Sequence, residues 1–145
     1  MKKICFMLML MVVSLVVVAA PKKKTTVFDK GKGKVFLFGV SQQLTDSIVY
    51  ITFISELDSL DLQKKTKFLP FRSAFSIQLK QYMEGTLGKD RQTATVFYSD
   101  NRKKLSKKYY KIKKRFLDNP YTKIVPLDGF NFRHPLDSFV KETSE

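Results

Sequence analysis

Two closely spaced runs, Lys34–Val40 (KVFLFGV) and Ser47–Ile54 (SIVYITFI), constrain this chain more than any other feature of it. Both are rich in β-branched and aromatic residues, and both are apolar at successive rather than alternate positions. Side chains alternate between the two faces of a strand, so a strand that is apolar on both faces must be covered on both. The six residues between the runs, Ser41–Asp46, are polar and include the turn formers Ser, Thr and Asp. A connection that short joins the strands as an antiparallel hairpin. The rest of the chain must then supply a covering layer for each face.

Two segments have the right period. Pro70 precedes Phe71, Phe75, Leu79, Tyr82 and Met83, which fall at i, i+4, i+8, i+11 and i+12 and predict a helix with one apolar face, stopped by Gly85 and Gly88. Leu105, Tyr109, Ile112 and Phe116 form a second stripe in a helix that Asp100 is placed to cap and that runs to about Leu117, before Asp118-Asn119-Pro120. Thr93–Ser99 reads as a third strand, and Tyr121–Leu127 contains a short fourth, which Pro126 confines to an edge or a strand end. Glu56–Leu69 has a weaker pattern, with one helical turn expected near Asp58–Gln63.

The expected fold is therefore α/β: a small mixed four-stranded sheet in the order β-β-α-β-α-β with two amphipathic helices. Each strand–helix–strand passage is long enough for a crossover, which makes strands two, three and four parallel and the first antiparallel to them. The tail 128–145 carries Phe130, Phe132 and Phe139, side chains costly to leave in water, so part of it is expected to dock.

Ahead of this domain, Lys2 and Lys3 are followed by an uncharged run from Ile4 to Ala20, rich in Met, Leu and Val. A basic start, an apolar stretch and a small-residue exit make the layout of a secretory signal peptide, with cleavage expected after Ala19. The organisation expected is a signal peptide at 1–19, a basic flexible linker at 20–33, and a single domain at 34–145. Export to the periplasm or the cell exterior follows, and the chain spans a membrane only if the signal is kept as an anchor. Loss of the signal also removes Cys5, the sole cysteine, so oxidising conditions cannot cross-link the remainder.

Charge and residue counts narrow the function. The whole chain has 27 basic and 13 acidic residues, a formal charge of +14, and loses only Lys2 and Lys3 of these with the signal. One Cys, one His and no Trp exclude a disulfide scaffold, a Cys/His zinc site and any catalysis needing several imidazoles. Arg102–Arg115 alone holds nine basic residues. On a helix, Lys103, Lys107 and Lys114 fall opposite the apolar stripe, with Lys104, Lys111 and Arg115 on one shoulder. A ridge of cations without acidic neighbours costs helix stability through like-charge pairs and marks a candidate anion-binding face. The partners it suggests are an anionic component of the cell envelope or another envelope protein. No motif for specific nucleic-acid recognition occurs, and no cofactor is implied.

A second candidate lies at the carboxyl ends of the strands, where α/β sheets hold ligands. Glu56 and Asp58 follow strand two, Asp100 follows strand three and Asp128 follows strand four. Were they to converge, four carboxylates would suit Mg²⁺ or Ca²⁺ and support metal-dependent hydrolysis. The plainer role is helix capping, for which Asp58 and Asp100 are placed. A third possibility, a structural partner of another envelope protein, would show itself as an open strand edge or an exposed apolar patch. The sequences KVFLFGVSQQLTDSIVYITFISELDSL and FYSDNRKKLSKKYYKIKKRF, together with the signal segment, resemble small exported proteins of Bacteroidetes-type bacteria. That group has no assigned activity, so the resemblance implies an exported α/β domain and transfers no site residues.

Overall fold

In the computed structural model of this chain, residues 32–137 are described. The expected signal peptide at 1–19, most of the expected linker and Phe139 lie outside the described residues.

Strand β1 (Lys34–Gln43) is the spine of the sheet. On one side it pairs antiparallel along most of its length with β4 (Gln92–Ser99), from Phe36 opposite Ser99 to Gln43 opposite Gln92. Its other side is shared by β2 (Ile48–Thr52) and β3 (Ser55–Asp58), both antiparallel to it. Strand β5 (Lys123–Leu127) lies parallel to β2, with Ile48 opposite Lys123 and Thr52 opposite Leu127. Strands β2, β4 and β5 therefore run in one direction and β1 against them, as the crossover argument requires. The spatial order is β4, β1, β2 with β3, then β5.

β2 and β3 are one strand interrupted by a bulge. Val40 is opposite Ile51 and Leu37 opposite Ser55, so Thr52, Phe53 and Ile54 face only Phe38 and Gly39. The ladder is repaired by a side chain: the Gly39 N–H donates to Thr52 Oγ1 at 2.8 Å. The helical turn expected near Asp58–Gln63 is not formed there; Ser55–Asp58 is extended instead. Lys34 holds it in place from the neighbouring strand, with Nζ 2.6 Å from Glu56 Oε1 and 3.4 Å from Asp58 Oδ1. This adds a fifth strand to the four expected.

Helix α1 (Arg72–Gln81) and helix α2 (Arg102–Leu117) cover opposite faces. Phe75, Leu79 and Met83 of α1 and its extension pack with Val35, Leu37, Tyr50, Val96 and Leu127. The apolar tail completes this face, since Phe130 and Phe132 are buried in the same cluster. α1 passes into a π-helical turn, Tyr82–Thr86, and the chain leaves it at Gly88, whose φ of 60° suits a residue without Cβ. On the other face Phe38, Val40, Val49 and Ile51 meet Leu105, with Tyr109, Ile112 and Phe116 packed around them. The expected linker ends in contact with the domain: Lys32 N–H donates to Asp61 Oδ2 at 2.9 Å, and Leu60 N–H donates to the Gly33 carbonyl.

Candidate functional site

Helix α2 owes its start to Asn101 rather than to Asp100. Asn101 is extended, and its Oδ1 accepts the Lys104 N–H at 3.1 Å. Asp100, one residue too early to cap, turns aside to Lys67 Nζ at 3.2 Å. The hydrogen bond from Lys67 holds the Asp100 carboxyl below the usual carboxylate range. The expected stripe faces inward: Leu105 is fully buried, and Tyr109 meets Phe38 edge to face at 5.1 Å. Burial pushes the Tyr109 phenol up from its ordinary value, and Tyr110 beside it adds to the effect.

All six residues expected on the cationic face, Lys103, Lys104, Lys107, Lys111, Lys114 and Arg115, are exposed. Among the described residues the ion pairs join Lys34 to Glu56 and Asp58, Lys67 to Asp100, and Lys80 to Glu84; none involves α2. The nine basic residues of α2 are thus left without a carboxylate in contact, and their fields add. Lys108, which the spacing did not single out, lies 4.8 Å above the Phe97 ring and shields it from water.

Beneath the last turns of α2 the cover is incomplete. A groove of about 510 Å3 opens there. Its floor is the sheet: Val40 and Gln42 of β1, and Thr93, Thr95 and Phe97 of β4. Ile112, Arg115, Phe116 and Asn119 form its wall, and Leu44, which is 91% exposed, stands at the hairpin end. No residue lining the groove is acidic. The helical stripe alone predicts that Ile112 and Phe116 are buried; the signal for the groove is the polar pair Thr93 and Thr95, which leaves one face of β4 only half apolar.

The four strand-end carboxylates do not gather into a site. Strand two continues past Thr52, so Glu56 and Asp58 stand on β3 rather than beyond a strand end, and both are engaged by Lys34. Glu56 and Ser99 flank Phe36 from opposite sides, which puts Asp100 two strand spacings, about 10 Å, across the sheet. Asp128 follows Leu127, the last residue of β5, which is opposite Thr52. No group of three His, Cys, Asp or Glu side chains suited to a metal ion occurs among the described residues. Asp58 and Asp100 are not helix caps either, because one is in a strand and the other pairs with Lys67.

His134 is buried, with Nδ1 accepting the Leu136 N–H at 3.2 Å, so the ring proton belongs on Nε2. It lines a shallow hollow of about 440 Å3 with Glu56, Asp58 and Asp137. Ser41, a conceivable nucleophile, is buried within the β1 spine and donates to Gln92 Oε1 at 2.9 Å. Gly39 before it serves packing: a Cβ there would lie 2.5 Å from Leu79 Cδ2 and 3.1 Å from Phe132 Cζ. Among the described residues no helix is long and apolar enough to cross a membrane. No family model, curated protein or solved structure matches this chain.

Proposed function

We propose that this chain is an exported, non-catalytic binding module that contacts polyanions through the solvent face of α2. The observation that carries the reading is the absence of any carboxylate partner, among the described residues, for nine basic side chains on one sixteen-residue helix. A helix kept merely soluble mixes signs, because like charges at i, i+4 each cost a few tenths of a kcal/mol. Here that cost is accepted while the inner face of the helix still packs. The ridge has no fork or pocket for one particular anion, so recognition is by summed field: phosphate-bearing lipid, acidic glycan and similar polymers are the chemistry it fits.

Retention of the protein on heparin and on phosphocellulose, followed across salt, tests this. Binding should weaken steadily as salt rises, and Lys103→Glu, Lys107→Glu and Lys114→Glu combined should move elution to much lower salt without altering the fold. Elution unchanged by the triple reversal would remove the basis of the reading.

A further inference from the structure

The sheet has two outer strands, and they are finished differently. β5 has five residues and contains Lys123 and Pro126, both common devices against unwanted strand pairing. β4 has eight residues, QTATVFYS, with no charge, proline or glycine. It pairs only with β1, and among the described residues no backbone hydrogen bond reaches its other side. About half of its N–H and C=O groups therefore point outward along a strand of high β propensity. Such an edge is a template for an added strand.

The edge also adjoins the groove. Thr93, Thr95 and Phe97 lie on the face that α2 covers and form the outer row of the groove floor, about 13 Å long at the usual strand rise. A strand laid against β4 would send alternate side chains over this floor, toward Phe97, Ile112 and Phe116. There they would meet Arg115 and, above Phe97, Lys108, with no acidic residue in the lining. A second copy of this chain is a poor occupant. Pairing β4 with β4 about a twofold axis would bring two nine-cation helices onto the same face.

We infer that β4 and its groove take an acidic, extended segment of another protein as an added strand, on a surface that shares Arg115 with the cationic face of α2 but does not use Lys103, Lys107 or Lys114. Backbone pairing supplies the register, Phe97, Ile112 and Phe116 offer the apolar contact, and Arg115 and Lys108 select for carboxylates.

The test uses the full-length chain and two synthetic peptides of alternating Glu and Val, matched to the eight residues of β4. One carries an ordinary backbone; the other is N-methylated at alternate residues so that it cannot donate to a neighbouring strand. The ordinary peptide should bind, slow hydrogen exchange in Thr93–Tyr98, and bind at least about tenfold more tightly than its methylated twin, since several hydrogen bonds are lost. Thr95→Glu and Arg115→Glu should each weaken that binding while heparin retention depends mainly on Lys103, Lys107 and Lys114. Equal binding of the two peptides would overturn the inference. So would peptide binding abolished by the Lys103, Lys107 and Lys114 reversal but untouched by Thr95→Glu, which would place the peptide on the ridge. A concentration-dependent dimer that protects the β4 amides would overturn it in favour of a second copy.

Discussion

The two faces of this sheet are covered by helices of similar apolar pattern and to very different effect. On the α1 face the cover is close and double. Leu79 approaches the β1 backbone so nearly that a Cβ at position 39 would lie 2.5 Å from its Cδ2 and force it to shift, and Phe130 and Phe132 seal what the helix leaves. On the α2 face one helix works alone, with a single fully buried side chain, Leu105, and a groove left under its last turns. The two helices also differ in charge. α1 has one basic residue in its last turn, and Lys80 pairs with Glu84, whereas α2 holds nine cations with no carboxylate in contact among the described residues. Packing is concentrated on one face and positive charge on the other.

That contrast can be tested one side chain at a time. Phe132→Ala removes a ring buried against Phe75 and Phe130 and should cost about 3–5 kcal/mol, whereas Phe116→Ala, half-buried at the groove, should cost no more than about half as much. Chemical denaturation of both variants checks the ratio; equal losses would mean the faces are equally packed. Gly39→Ala forces a methyl toward Leu79 and should cost about 1–3 kcal/mol, while Thr95→Ala on the groove floor should stay within about 0.5 kcal/mol. Loss of the α2 cap in Asn101→Ala should cost about 1 kcal/mol, read by the same melt, and Asp100→Asn should leave the cap intact.

The smallest effect concerns pH. The Asp100 carboxyl is held below its ordinary value of 3.8 by Lys67, so folding favours its ionised form. The contribution is present above that ordinary value and disappears as pH falls through the depressed one. Because the pair is exposed it is worth at most a few tenths of a kcal/mol, and Asp100→Asn should slightly flatten the acid limb of the stability curve below about pH 4 while leaving neutral pH nearly unchanged.

The particular residues show why some of this was legible in the sequence. The runs around Val35–Val40 and Val49–Ile51 demanded two covers, and the stripes at Phe75–Met83 and Leu105–Phe116 provided them, because burial on both faces leaves no polar alternation. The direction of each strand followed from connection length. Neighbours did not: nothing in TATVFYS says that it lies against β1 and ends the sheet, and its open edge stayed hidden. The weak pattern after Ile54 does not predict a strand at Ser55–Asp58, and what makes Glu56 and Asp58 acceptable there is Lys34 on the neighbouring strand. The cap shifted by one residue for a local reason, since Ser99 Oγ accepts the Asn101 N–H and so favours Asn101 as the last extended residue. The exposure of the six predicted cations was legible because helical spacing alone orients them, whereas the exposed Lys108 was not singled out. The groove beneath the helix was not legible, because it depends on how far a helix stands from its sheet.

The bulge between β2 and β3 carries a consequence for how the length of this chain can vary. Ile51 and Ile54 both belong to the α2 face, Thr52 and Leu57 to the other, and Phe53 is the extra residue, 56% exposed. A deletion of Phe53 alone leaves the alternation of every flanking side chain intact and gives Gly39 an ordinary strand partner in place of Thr52 Oγ1. Loss of Ser55, Glu56 or Leu57 with the upstream register kept has no such reserve, because Asp58 then arrives opposite Val35, where Leu57 packs. The strand that looks most continuous in the sequence thus has a single place where a residue can be lost without scrambling the layers around it.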